Sequence, residues 1–206
     1  MQKAIYYIAM DNILKLSEDG KTIIGVNDKK ITHITIPEGV TTIGHRVFRG
    51  CSALQCIDIP NSVTTIGYYV FYGCSALQCI NVSDDNPNYT SVDGILFNKQ
   101  LSTIIQFPEG GNIEVYNIPN SVTTIGYGAF YGCSSLQSIN IPNCVTTIGG
   151  SAFEGCSSLQ CIDIPNSVTT IGDSAFYGCS NLKTINIPQS VKDIGIIPDI
   201  VVDKDS

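Results

Sequence analysis

A segment of 23 residues, numbered 54–76, constrains the fold of this 206-residue chain more than any other feature. Its pattern, L-x-x-I-x-I-P-x-x-V-x-x-I-G-x-x-A/V-F-x-G-C-x-x, recurs along most of the chain, with a spacing of 23 residues except for one step of 36 residues. A fixed period of this size predicts a solenoid, in which stacked units bury one another's open faces. The copies begin at Ile31, Leu54, Leu77, Ile113, Leu136, Leu159 and Leu182.

Each unit predicts a strand, a shorter strand and an aromatic turn. In the second copy Leu54, Ile57 and Ile59 alternate with polar residues, as in a half-buried strand, and Pro60 ends it because proline lacks a ladder donor. Stacking places these strands in one parallel sheet of seven, with turns and short helical pieces on the other side. The Thr-Thr pairs predict a second short sheet. The phenylalanines predict an aromatic spine of Phe48, Phe71, Phe130, Phe153 and Phe176.

The motif L-x-x-I-x-I-P…V-T-T-I-G-x-x-A-F-x-G-C resembles the leucine-rich repeat subclass of BspA-like and Treponema-type proteins, from Ile31 to residue 193. The resemblance implies a curved solenoid used for binding, often as an adhesin on bacterial or protist surfaces, and it brings no shared catalytic residues. The predicted fold class is therefore an α/β repeat, a leucine-rich-repeat horseshoe with a parallel concave β-sheet. Hairpin inserts are common in proteins of this kind.

We expect a single domain with β-hairpins at two places. Residues 1–30 form a cap with a hairpin turn at residues 18–20, residues 31–81 hold repeats, and residues 82–112 form an insertion. The insertion contains a second predicted hairpin, with strands at 95–97 and 104–107, and its sequence echoes the cap. Residues 113–193 hold the other repeats, and residues 194–206 form a C-terminal cap with a frayed, charged tail. The cap would cover the last turn with Ile196, Ile197, Ile200, Val201 and Val202.

Eight of the nine cysteines share one of two repeat positions that predict free thiols. Five follow the glycine of the F-x-G-C turn, where a buried cysteine acts as a small apolar residue with a weak donor. Cys56, Cys79 and Cys161 lie on the exposed strand face, where neighbours are within disulfide range but have parallel Cβ vectors, which disfavours a bond. The odd total and free thiols indicate a reducing compartment or tolerance of one, whereas the family resemblance implies a cell-surface or secreted protein.

The charge of the chain argues against several classes of partner. Its net charge is −7, and between Gly50 and Leu182 the only basic residue is Lys99, against nine acidic residues. This balance argues against nucleic acid and anionic membrane surfaces, and it is compatible with basic protein partners. No apolar run approaches the ~20 residues of a membrane span, and residues 4–10 lack the cleavage motif of a signal peptide. We expect no metal, no cofactor and no enzymatic activity.

The polar side of the predicted front strands is the candidate binding site. In horseshoe repeats this sheet lines the concave face, so we expect it to bind a protein, with host or extracellular-matrix proteins as one class of partner. The alternative is that amide columns merely hydrogen-bond to one another along the stack. The candidate residues are Gln55, Cys56, Asp58, Gln78, Cys79, Asn81, Gln137, Ser138, Asn140, Gln160, Cys161, Asp163, Lys183, Thr184 and Asn186.

Two other functions stay open at this point. His33, Cys56 and Cys79 fall on adjacent strands near Asp58, and such residues bind zinc or form a Cys–His nucleophile. The row spans ~10 Å, whereas zinc needs its sulfur ligands at about 2.3 Å, and no oxyanion hole is evident. The other function is that of a structural spacer within a larger surface protein, which would have no soluble partner.

Variable residues after each Ile-Gly pair and each Phe lie on the opposite side of the predicted stack. Exposed tyrosine and arginine are typical of interfaces, although tyrosines that simply cover the turns are the more economical interpretation. The aromatic and charged members are His45, Arg46, Arg49, Tyr68, Tyr69, Tyr72, Tyr127, Tyr131, Glu154 and Tyr177.

Overall fold

A computed structural model describes residues 13–194 and 201–204, with side chains for residues 13–192. These residues form a solenoid in which each complete repeat contributes one front strand and one back strand, followed by a turn segment that returns to the front. Successive repeats stack in register, so that equivalent residues form columns along the solenoid. Residues 1–12 of the predicted cap lie outside the described part of the chain.

The front strands form three parallel sheets rather than the single seven-stranded sheet expected from the repeat. The first break lies at the insertion, where the Ile80 N–H donates to the Gly94 carbonyl at 2.9 Å. A Cβ at Gly94 (φ +76) would lie 3.1 Å from the Cys79 Cα, so this turn closes tightly against the last strand of the first sheet. The sheets are β3 (His33–Thr35), β5 (Cys56–Ile59) and β7 (Cys79–Val82); β11 (Val115–Asn117), β13 (Ser138–Asn140) and β15 (Cys161–Ile162); and β17 (Thr184–Ile187) with β19 (Val201–Lys204).

The back strands confirm the second sheet that the threonine pairs predict. Equivalent residues pair in register, such as Thr124 with Thr147 and Ile125 with Ile148. The four-stranded back sheet contains β1 (Leu14–Leu16), β2 (Thr22–Val26), β4 (Thr42–Ile43) and β6 (Thr65–Ile66). The seven-stranded back sheet contains β8 (Tyr89–Val92), β9 (Ile95–Asn98), β10 (Thr103–Gln106), β12 (Thr124–Ile125), β14 (Thr147–Ile148), β16 (Thr170–Ile171) and β18 (Asp193–Ile194).

The expectation of short helical pieces is wrong, and the α/β label with it, because the described residues contain no helix. Each turn segment of a complete repeat has two residues in the left-handed region, for example Ser151 (φ 53) and Gly155 (φ 77). A right-handed helix needs consecutive residues with negative φ, so these two positions prevent one from forming. The fold is an all-β leucine-rich-repeat solenoid.

Both β-hairpins lie where the sequence predicts them, and they are structural duplicates. Strands β1 and β2 pair antiparallel, as do β9 and β10. Each second strand then starts a parallel back sheet in the same register, with Ile23 opposite Ile43 and Ile104 opposite Ile125. The insertion therefore begins a second stack in the same way that the cap begins the first. Strand β8, which the sequence did not reveal, adds a third strand to the inserted hairpin.

Strand β9 separates two hydrophobic cores. Leu96 packs into the N-terminal core, whereas Ile95 and Phe97 belong to the C-terminal core. Successive side chains of a strand point to opposite faces, so one strand closes one stack and opens the next. The aromatic spine is buried as predicted, and Phe107 of the insertion joins it, with its ring centroid 4.9 Å from that of Phe130.

The C-terminal tail is more ordered than the sequence suggests. Strand β19 pairs parallel with β17, with Thr184 opposite Val201 and Ile187 opposite Lys204, so the expected fraying is wrong for these residues. Three consecutive β-branched residues at 200–202 favour a strand here after the repeat pattern has decayed. The predicted cover by Ile196, Ile197 and Ile200 lies outside the described residues.

Candidate functional site

The candidate residues all lie on the front strands or next to them, and the insertion divides them into two patches. All are exposed except Cys56, Asp58, Cys79, Gln137 and Ser138, which are half-buried. The first patch, here the N-terminal patch, contains Gln55, Cys56, Asp58, Gln78, Cys79 and Asn81. The second, here the C-terminal patch, contains Gln137, Ser138, Asn140, Gln160, Cys161, Asp163, Lys183, Thr184 and Asn186.

Asp58 is the centre of a hydrogen-bonded network in the N-terminal patch. One carboxylate oxygen contacts His33 Nε2 at 2.9 Å and accepts from Thr35 Oγ1 at 3.0 Å, and the other accepts from Asn81 Nδ2 at 2.9 Å. Burial alone would raise the pKa of Asp58, but the hydrogen bonds from Asn81, Thr35 and His33 outweigh it and hold that pKa below its ordinary value. The network spans three adjacent strands, so it stabilises the first front sheet by hydrogen bonds between its strands.

A disulfide between Cys56 and Cys79 corrects the prediction that these thiols are free. Their Cα atoms lie 4.9 Å apart, inside the range that disulfides span, and rotation about the Cα–Cβ bonds lets the sulfur atoms meet. Parallel Cβ vectors are therefore not a sufficient argument against a bond. The disulfide occupies both thiols, so His33, Cys56 and Cys79 offer neither a thiolate nucleophile nor thiolate ligands for a metal.

The cysteines of the F-x-G-C turns behave as predicted, as buried weak donors. Cys74, Cys156 and Cys179 each donate through Sγ at 3.1 Å to the carbonyl of the spine phenylalanine of the preceding repeat. Burial raises the pKa of Cys74 and of Cys179 to about 12, so these thiols stay protonated and unreactive. Among the free cysteines that the structure describes, Cys161 alone is exposed and Cys144 is half-buried.

The C-terminal patch borders a groove of about 750 Å³. One side of the groove is the column of Asn140, Asp163 and Asn186, each of which follows the buried isoleucine of its strand. The other side is the row of Pro-Asn turns that end the strands. The sequence placed this column on one face, but it did not reveal the groove, which depends on how the turns project beyond the strands. Its polar lining consists of Asn120, Asn140, Asn143, Asp163, Asn166 and Asn186.

Asn86 of the insertion is a buried polar residue that sequence reasoning missed. Its side chain donates to the carbonyls of Pro60 and Val63 at 2.8 and 2.9 Å, and accepts from the N–H groups of Asn88 and Tyr89 at 2.9 Å. Elsewhere in the stack the equivalent valine carbonyl accepts from a side chain of the next repeat, as the Val145 carbonyl does from Ser167 Oγ at 2.7 Å. Asn86 therefore replaces a missing repeat at the junction between the two stacks. A single asparagine in a turn-rich loop is not part of the repeat pattern, so the sequence does not indicate that its side chain is buried.

Glu109 has a related role on the turn side of the same junction. In the regular stack, the glycine N–H of each turn donates to a carbonyl of the next repeat, as Gly132 does to Glu154 at 2.8 Å. At the junction, the Glu109 carboxylate lies near the N–H groups of Gly73 and Cys74 instead, and these favour its charged form. Its Oε2 atom is buried and has no hydrogen-bond partner. Burial raises the pKa of Glu109 to about 7, against the lowering effect of those two N–H groups.

The raised pKa of Glu109 gives a prediction about stability and pH. Because the folded pKa lies above the ordinary value of 4.5, the folded protein binds more protons than the unfolded chain, and stability falls as pH rises from 4.5 through 7. Glu109→Gln keeps the acceptor oxygen and removes the charge. It should raise the free energy of unfolding by roughly 2 kcal/mol at pH 8, allowing for partial solvent screening, and change it little at pH 5. Urea unfolding at both pH values measures this, and an equal effect at both would contradict it.

The turn side carries an aromatic cluster that crosses the junction. The Tyr72 and Tyr131 rings stack with centroids 4.0 Å apart, although their repeats start at Leu54 and Ile113, which are 59 rather than 23 residues apart. Tyr69 packs edge-on against Tyr127 at 5.0 Å, and their hydroxyls are hydrogen-bonded. The insertion therefore leaves the turn faces of the two stacks in contact. Tyr68 is exposed and stacks on His45 at 5.4 Å.

This architecture is that of a leucine-rich repeat solenoid, and comparison with known proteins identifies its family. The family described as "BspA type leucine rich repeat region" matches six copies, over residues 26–114 and 106–196, and the chain belongs to this family. No protein of curated function matches the chain.

Several solved structures are similar to this chain. A leucine rich cell surface protein from Faecalibacterium prausnitzii is 32% identical, with a TM-score of 0.71 over 84% of this chain and 51% of that one. The pneumococcal vaccine antigen PcpA is 28% identical, with a TM-score of 0.71 over 81% and 47%. A leucine-rich repeat protein from Eubacterium ventriosum, 24% identical with a TM-score of 0.67 over 80% and 54%, shares the fold. The chain spans about half the length of these proteins.

No helix among the described residues is long and apolar enough to cross a membrane. No cluster of three or more His, Cys, Asp or Glu side chains within the same residues is arranged to hold a metal ion.

Proposed function

We propose that this chain is a protein-binding scaffold and that its partner binds at the front face, in the groove beside the C-terminal patch. The observation that carries this proposal is the groove itself, about 750 Å³ lined by amides, a carboxylate and prolines. A polar concavity along a rigid stack suits an extended protein segment, because the aligned amides offer donors and acceptors at the regular spacing of the strands. We propose no catalytic role for this face.

The chemistry of the groove favours a partner segment rich in amide and basic side chains. Asp163 is the charged residue among those that line it, and the chain as a whole carries a net charge of −7. Such a surface attracts a basic segment and repels an acidic one. A column of asparagine and aspartate presents both donors and acceptors, so backbone groups of the partner can also be satisfied there.

A role as a surface adhesin is the finer form of this proposal. One similar structure is that of a cell surface protein, and another is that of a vaccine antigen. The Cys56–Cys79 disulfide adds support, because disulfides persist in the oxidising environment outside the cytosol. Host or extracellular-matrix proteins are the partners that this location would offer.

A capture experiment with three forms of the chain tests the proposal. The first is the native protein, and the second carries Asn140→Lys and Asp163→Lys in the groove. The third carries Asp85→Lys and Ser134→Lys, which are exposed positions outside the groove, and it makes the same change in net charge. Each is exposed to a panel of extracellular-matrix proteins and to cell lysate, after circular dichroism has shown that it folds.

We expect the native and control proteins to retain a common partner and the groove variant to lose it, by a factor of about ten or more in affinity. Equal retention by all three forms would place binding outside the groove. The absence of any partner for the native protein would favour the structural spacer instead.

A further inference from the structure

One position in the turn segment has the same unusual backbone in all five complete repeats. The second residue after each Ile-Gly pair is left-handed, with φ between 53° and 61°. Three repeats place a small residue there, Gly128, Ser151 or Ser174, and the other two place Arg46 and Tyr69. Bulky side chains are uncommon in this region, and glycine adopts it without strain. The fold therefore accepts a small residue at this position and does not require arginine or tyrosine.

The two bulky residues build a hollow with the residues three positions further along. The Arg46 guanidinium lies 5.4 Å from the centre of the Tyr69 ring, and the Arg49 guanidinium lies 5.0 Å from that of Tyr72. Together with Glu154 these side chains line a hollow of about 190 Å³. Tyr72 also stacks on Tyr131, with their ring centroids 4.0 Å apart. Backbone strain at a position whose side chain lines a hollow indicates a role in function rather than in folding.

The charge of the hollow contrasts with that of the rest of the molecule. Arg46 and Arg49 are the only arginines of the chain, whose net charge is −7. Among the described residues, the ion pair is that of His33 with Asp58, so neither guanidinium has a carboxylate partner within that part of the chain. A guanidinium presents a planar fork of donors that matches a carboxylate, and stacking on a tyrosine holds the fork in place.

We propose that this hollow binds an acidic peptide segment of a partner protein, with two of its carboxylates paired to Arg46 and Arg49. The tyrosine rings supply apolar contact area beside each charge, a composition typical of the residues that dominate interfaces. Glu154, which also lines the hollow, repels further acidic residues and so limits how the segment can lie. This surface is separate from the front groove and has the opposite charge preference.

Fluorescence anisotropy with a labelled peptide of alternating glutamate and glycine tests this proposal. The native protein should bind it in physiological salt more tightly than it binds a lysine–glycine peptide or heparin. Arg46→Gly with Arg49→Gln should weaken binding about tenfold or more. Arg46→Gly alone should also weaken binding while leaving the melting temperature unchanged or higher, because glycine relieves the left-handed backbone. A purely structural role for Arg46 would lower the melting temperature.

The matched control is Lys21→Gln with Lys99→Gln, which removes two positive charges at exposed positions outside both the hollow and the front-face patches. It should leave binding of the glutamate peptide unchanged. The proposal is overturned if the control weakens binding as much as the arginine variant does, if the native protein does not bind the peptide, or if heparin binds more tightly. Because no groove residue is altered, these outcomes are independent of the front-face proposal.

Discussion

Replacing Phe153 with alanine should lower the free energy of unfolding by about 4 kcal/mol, since large aromatic residues in a packed core cost this much when truncated. Phe153 is fully buried, and its ring stacks between those of Phe130, at 5.1 Å, and Phe176, at 5.5 Å. Each repeat is held mainly by its two neighbours, so the cavity removes contacts from both interfaces at once. Urea unfolding followed by circular dichroism measures the loss.

Tyr177→Ala is the matched control for this prediction. Tyr177 lies one repeat later, next to the spine, but it is 52% exposed. Its truncation should cost less than about 1 kcal/mol. Similar losses for the two variants would mean that the phenylalanine spine is not the main source of cohesion between repeats.

Asn86→Ala should lower the free energy of unfolding by about 3 kcal/mol or more, although Asn86 lies in a loop of the insertion. The substitution leaves the Val63 carbonyl and the N–H groups of Asn88 and Tyr89 without the side chain that they bind, and it removes one of the two hydrogen bonds to the Pro60 carbonyl. Each buried unsatisfied group costs about 1–3 kcal/mol. These groups join the first stack to the insertion. We therefore also expect the variant to unfold in two steps, with the N-terminal stack first.

The neighbouring Asn88 provides the control. It is exposed and makes one side-chain hydrogen bond, to the Thr64 carbonyl at 2.8 Å, so Asn88→Ala should cost about 1 kcal/mol or less. If Asn86→Ala unfolded in a single cooperative transition, at the same denaturant midpoint as the native protein, the role of Asn86 at the junction would be contradicted.

Periodicity in the sequence was enough to predict the parts of the fold that repeat. The buried phenylalanine spine, the threonine back sheet and the duplicated hairpin all follow from residue types that return at a fixed spacing, and stacking then fixes their positions. The front columns were also predicted, because alternation along a strand determines which side chains share a face. Whether partners bind there stays a prediction.

The features that the sequence did not reveal are those that occur once. Asn86 and Glu109 act on backbone groups left without a next repeat, so their roles depend on where the stack is interrupted. The break in the front sheet depends on how the Gly94 turn packs against Cys79. The absence of helix among the described residues follows from the left-handed backbone positions of the turn segments. An arginine or a tyrosine at such a position does not indicate a left-handed backbone. The disulfide depended on side-chain rotation, which the strand register alone does not determine.

The exposed thiol of Cys161 allows the most direct test of the proposed front-face interaction. Cys161 lies in the C-terminal patch, two residues before Asp163 of the groove, whereas the five turn cysteines are buried. The measurement is the rate at which a maleimide alkylates Cys161 in the native protein, with and without the captured partner, followed by peptide mass spectrometry. If the partner occupies the front face, alkylation should slow by about tenfold or more on binding. An unchanged rate at a saturating partner concentration would contradict a front-face site.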